Sequence, residues 1–101
     1  MSASAHVKIT NRLGMHARPA MILAETAQKF DSNITLRRTD QDDFVDAKSI
    51  MQLMMLAATE GTELEIKADG NDAKEAVKRL IDLIRSGFDD VGITTYPLNI
   101  R

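Results

Sequence analysis

Apolar and polar positions along this chain change period several times, and each change marks an element. Val7 and Ile9 alternate with His6, Lys8 and Thr10, the pattern of a short strand over 6–10 with one face buried. From Ala17 to Phe30 the period lengthens. Ala20, Leu23, Ala27 and Phe30 share one face with Ala24 beside them, as on an amphipathic helix. Asp31-Ser32-Asn33 is a turn cluster, after which Ile34 and Leu36 alternate with Thr35 and Arg37 in a second strand. Thr39 to Asp43 is a polar, acidic connection of hairpin type. Phe44 to Ala47 reads as a short third strand with Val45 and Ala47 inward. Ser49 stands where an N-cap belongs, ahead of the short and very apolar helix that begins Ile50-Met51-Gln52-Leu53. Beyond Gly61, Thr62 to Asp69 alternates cleanly, Leu64, Ile66 and Ala68 inward and Glu63, Glu65 and Lys67 outward. Gly70-Asn71 opens a third helix with Ala73, Val77, Leu80 and Ile84 on its core face and Ala76 and Leu83 flanking. Asp72 and Glu75 near its positive end and Arg85 near its negative end suit the helix dipole, and Ser86-Gly87 reads as its stop.

The order is strand, helix, strand, strand, helix, strand, helix. One-sided strands in that order predict an α+β fold, a four-stranded antiparallel sheet with three helices on one face and solvent on the other. The predicted domain spans 1–90. Val91 to Arg101, with Pro97 and scattered apolar residues, is a C-terminal tail without an assignment. A chain of 101 residues supports one modest core. A net charge of −2 and 4% aromatic residues argue against holding a nucleic-acid backbone or stacking bases. The absence of cysteine excludes disulfides and thiolate metal sites, and no metal or cofactor is expected. Met1 to Ala5 has no apolar stretch of the secretory kind, and no run approaches the ~20 apolar residues of a membrane span. The expected location is the cytoplasm, without membrane insertion.

The run Gly14-Met15-His16-Ala17-Arg18-Pro19 carries the chemistry. Proline's fixed φ suits a first helical turn, and a helix start offers unpaired N–H groups and partial positive charge to an anion. An imidazole there is nucleophilic near neutral pH and forms a labile N–P bond. The N–H groups of Ala17 and Arg18 are candidate donors to phosphoryl oxygens, the Arg18 guanidinium adds a charge-assisted contact, and Gly14 lets the preceding chain bend. On spacing alone, a lone histidine near a helix start is more often a capping or loop residue, so both readings stand. A metal site is weaker, because the only other histidine is His6 and no ligand cluster is apparent. No general base neighbours His16 in sequence, which ranks a stand-alone enzyme behind a carrier.

With those residues in view, Ile9 to Ala20, ITNRLGMHARPA, resembles the active-site signature of the HPr family of bacterial phosphotransferase systems. Ala47-Lys48-Ser49-Ile50-Met51 resembles that family's regulatory serine segment, and the likeness runs over roughly Val7 to Asp90. The resemblance implies an open-faced β-sandwich and a cytoplasmic phosphoryl carrier. It implies His16 as the phosphorylated residue, through Nδ1, and Arg18 as its phosphoryl partner. It also implies phosphorylated enzyme I as donor and a histidine of an enzyme IIA domain as acceptor. Ser49 matches the serine that an HPr kinase/phosphorylase modifies in some bacteria, which gives the alternative of a regulatory binding module controlled at Ser49. A monomer is expected.

Met21, Ile50, Met51, Met54 and Met55 are many soft apolar residues for one region, and some of them are expected in the core. Met21, Ile50, Met51 and Met54 are the candidates for docking around His16, since methionine adapts to more than one partner. Arg12, Arg18 and Lys48 are candidates for a positive rim toward acidic partners. Two branches of the family fit. The lead-in Thr10 to Met15 and the ending Ser86 to Asp90 look similar to the nitrogen-related NPr branch, whereas Lys48 to Met51 resembles kinase-regulated sugar carriers.

Overall fold

Strands β1 (Ser2–Lys8), β2 (Asn33–Arg38), β3 (Val45–Asp46) and β4 (Glu63–Asp69) pair antiparallel in one sheet, in the order β1-β4-β2-β3. Helices α1 (Ala17–Ala27), α2 (Ile50–Met55) and α3 (Ala73–Arg85) cover one side of it. This computed structural model describes residues 1–88; residues 89–101, and with them the tail expected from Val91, lie outside the described residues.

Alternation decides which face of the sheet is covered. Val7, Ile34, Leu36, Leu64, Ile66 and Ala68 are buried beneath the helices. Ala20, Leu23, Ala24 and Ala27 of α1, Leu53 of α2, and Val77, Leu80 and Ile84 of α3 meet them. The opposite face stays polar. There Arg37 donates from Nε to Glu65 Oε1 at 2.8 Å, and the Phe44 ring lies 4.8 Å from Lys67 Nζ and 5.5 Å from the Arg37 guanidinium. The α+β class, the element order and the one-sided helices are as the sequence predicts.

The larger departures from the expected boundaries each have a physical reason. The first strand begins at Ser2 rather than at His6, because it pairs with β4 along its full length, from Ser2 opposite Asp69 to Lys8 opposite Glu63. Backbone pairing is indifferent to side-chain hydropathy, so Ser2 to Ala5 join it without a large apolar residue. Helix α1 ends at Ala27 rather than Phe30. There the ladder tightens, with Lys29 N–H donating to Thr26 O and Phe30 N–H to Ala27 O at 3.1 Å each. The third strand keeps only Val45–Asp46, although Ala47 N–H still reaches Ile34 O at 2.9 Å and Ala47 is buried as expected.

Candidate functional site

His16 is the N-cap of α1, in extended backbone (φ −97, ψ −170), and its side chain makes no capping bond. An N-cap asparagine, serine or aspartate would turn its oxygen onto the first-turn N–H groups. The histidine leaves them open, and its ring is exposed. The helical ladder begins with Ala20 N–H on His16 O at 3.0 Å. Pro19 has no N–H, so Ala17 and Arg18 supply the two first-turn donors without an intrahelical acceptor. Those are the two residues the sequence singles out.

The loop ahead of His16 is held by distant parts of the chain. Gly14 has φ +68, and a Cβ built on it would sit 2.3 Å from Ala58 O and 2.7 Å from Thr59 Cα. Met15 is buried and donates its N–H to Ala58 O at 2.8 Å. Thr10 Oγ1 donates to Ile84 O at 3.2 Å, which ties the start of the loop to the end of α3. A cleft of about 280 Å³ forms where these segments meet, lined by His16, Arg18, Arg12 and Asn11 with Gly87 and Phe88. Two arginines and a helix N-terminus therefore border the same opening as one imidazole, an arrangement that favours an anion.

Lys48 is not part of that opening. Its Nζ donates to Phe30 O at 2.8 Å and its carbonyl accepts from Gln28 Nε2 at 3.0 Å, so it closes the far end of α1. Eleven residues of helix separate it from His16, roughly 17 Å at helical rise. The positive rim of the cleft is thus Arg12 and Arg18, and Lys48 serves as a helix C-terminal cation. Ser49 caps α2 as expected, accepting Gln52 N–H on Oγ at 3.2 Å.

The expectation that part of the methionine cluster is core is corrected. Met21, Ile50, Met51, Met54 and Met55 are all exposed, Met51 and Met55 at 76%. Helix α2 has a single buried residue, Leu53, because six residues offer less than two turns and only one position faces the sheet. The buried methionine is Met15, which the site loop carries into the core. Met55, left out of the docking candidates, and Leu13, 72% exposed in a loop where no period assigns a face, belong to the exposed apolar residues as well. Among the described residues no cluster of His, Cys, Asp or Glu could hold a metal ion, and no helix is long and apolar enough to cross a membrane.

Residues 3–86 match the family model described as the PTS HPr component phosphorylation site. The phosphocarrier protein NPr of Escherichia coli is 43% identical over 90 residues, 89% of this chain and 99% of that protein. The phosphocarrier protein HPr of Neisseria meningitidis is 44% identical over 84 residues, 83% of this chain and 92% of that protein. The crystal structure of HPr-C-His from Thermoanaerobacter tengcongensis superposes with a TM-score of 0.79 at 41% identity, over 85% of this chain and 94% of that one. A match that spans the sheet and its helices and takes in the histidine loop leaves one reading: the chain belongs to the HPr family of phosphotransferase-system phosphocarriers.

Proposed function

We propose that the chain carries a phosphoryl group on His16 between two proteins of the phosphotransferase system, from phosphorylated enzyme I to a histidine of an enzyme IIA domain. One observation carries this reading: the N-cap of α1 is an exposed imidazole that makes no capping bond and stands over two first-turn N–H donors. In the transfer, a ring nitrogen lone pair attacks phosphorus. The new N–P bond forms as the bond from phosphorus to the donor breaks, and the reverse displacement delivers the group to the acceptor. The helix terminus and the guanidinium groups of Arg18 and Arg12 stabilise charge on the phosphoryl oxygens, while the N–P bond remains weak enough to break at the next encounter. This reading places the protein in the cytoplasm.

The exposed apolar residues Met21, Ile50, Met51 and Met54, with Leu13 and Met55 added, supply a surface on which donor and acceptor dock in turn. Phosphorylation of Ser49 would add about two negative charges at its edge while leaving a helix N-cap that tolerates anions. A module read only through Ser49 is not favoured, since the relatives are named as carriers. Which branch the chain serves is read from the acceptor: a sugar-system or a nitrogen-type enzyme IIA takes the group faster.

The test is phosphorylation by phosphoenolpyruvate and enzyme I. One phosphate per chain is expected, labile in acid and stable in base, and absent in His16→Ala. Arg18→Ala should slow transfer without abolishing it. A label that survives His16→Ala overturns the assignment.

A further inference from the structure

We infer that Asn11 is a positioning residue for phosphoryl transfer, acting on His16 through the peptide unit between Gly14 and Met15. The inference rests on His16 being the phosphorylated residue. The carbonyl of that peptide unit accepts Asn11 Nδ2 at 2.8 Å and His16 N–H at 3.0 Å. Its N–H, that of Met15, donates to Ala58 O at 2.8 Å. The plane is therefore held from both sides, by a side chain on one and by the loop before β4 on the other. Asn11 grips the same residue twice, since its own carbonyl accepts Gly14 N–H at 3.2 Å. The backbone of His16 hangs from this clamp through its N–H. The ring position thus follows from a peptide plane that Asn11 helps to fix.

The orientation of the amide is also determined. Turning it over would set Oδ1 against the Gly14 carbonyl, two acceptors face to face. With Nδ2 on that carbonyl, Oδ1 is buried and has no hydrogen-bond partner. Asn11 also lines the cleft that holds His16 and Arg18. Aspartate has the same shape but no donor and adds a charge to the cleft, so the uncharged Asn11→Ala must lose rate as well for the clamp to be the cause.

The experiment compares full-length wild type, Asn11→Asp and Asn11→Ala, with His16→Ala as control, in single-turnover transfer from phosphorylated enzyme I as its concentration is varied. Thermal unfolding and amide NMR accompany the kinetics. A misplacement of the reacting ring by a fraction of an ångström to 1 Å should lower the saturated transfer rate about ten- to a hundredfold. The concentration at half-saturation should change less than twofold, because the docking surface is untouched. The Met15 and His16 amide resonances should shift, and Met15 N–H should exchange faster. A residue that only stabilises the fold would lower the midpoint of unfolding and leave the saturated rate of the folded protein alone. A wild-type saturated rate in folded Asn11→Ala, or a loss confined to half-saturation, overturns the inference while leaving His16 in place. Label retained in His16→Ala overturns the site reading and this inference with it.

Discussion

Replacing Gly14 by alanine should be the most damaging single-methyl change in the site loop, and Gly61 provides its control. Both glycines have positive φ, +68 and +88. A left-handed conformation costs an alanine roughly 1–2 kcal/mol at either position. The surroundings differ. At Gly61 no atom lies within 4 Å of the added Cβ, so the conformational cost is the whole effect. At Gly14 the Cβ would meet Ala58 O at 2.3 Å and Thr59 Cα at 2.7 Å, both backbone. Neither can step aside as a flexible side chain would, so the two loops must separate. Separation sacrifices the Met15 N–H bond to Ala58 O, worth about 0.5–1.5 kcal/mol, and loosens the buried Met15 side chain. Gly14→Ala should therefore destabilise by roughly 2–4 kcal/mol in all, against about 1–2 for Gly61→Ala. For a domain of this size that is a fall in Tm of roughly 8–32 °C against 4–16 °C. Urea unfolding and calorimetry on the two variants measure the difference, and transfer from enzyme I should suffer in Gly14→Ala alone. Equal stability of the two variants would refute the close approach of the histidine loop to Ala58.

Other consequences can be checked on the same footing. The Asp72 carboxylate is held below its ordinary range, first by the Ser32 hydroxyl and then by the Asp31 N–H, which it accepts at 2.9 Å. A depressed folded value means stability present above the unfolded pKa of about 3.9 and lost as pH falls through the folded one, so Asp72→Asn should flatten the acid limb of a Tm–pH profile below about pH 4. Ser49→Ala should cost about 1 kcal/mol in urea unfolding by removing the cap on Gln52 N–H. Ser49→Asp should keep that stability and raise the half-saturating concentration of enzyme I severalfold, by calorimetric titration or kinetics, if partners dock beside α2. Ala57 has φ 53, so Ala57→Gly should stabilise the chain by up to about 1 kcal/mol; a loss would show that its methyl packs.

How much of this was legible in the sequence depends on whether the controlling contact is local. Leu64, Ile66 and Ala68, or Ala73, Val77, Leu80 and Ile84, reveal their elements because one period repeats over several positions and one face is buried. Ser49 announces a cap because the bond it accepts is three residues away. The placing of His16 and Arg18 together at the start of α1 was legible for the same reason, since both lie on one helical turn. The contacts that failed to show are long-range. Ser2 to Ala5 form a strand only because β4 lies beside them. Lys48 looks like any surface cation until Phe30 O takes its ammonium. The methionines of α2 match a core stripe by composition, and only the shortness of the helix, with one inward position at Leu53, turns them out.

That division bears on how the carrier works. The proposed nucleophile, His16, and Arg18 sit on a local signal, one helix start. What gives the histidine a fixed address is mainly non-local: Ala58 against Gly14 and Ile84 O under the Thr10 hydroxyl, to which the Asn11 amide on the Gly14 carbonyl, three residues away, adds a local hold. A phosphoryl group that must move between two different proteins needs a small, exposed nucleophile, since neither partner can reach into a deep pocket. Exposure alone would let the loop wander, and each transfer would then pay the cost of ordering it. Anchoring the loop from beneath, through backbone carbonyls of α3 and of the segment before β4, holds the His16 backbone in place and leaves its ring exposed to a partner.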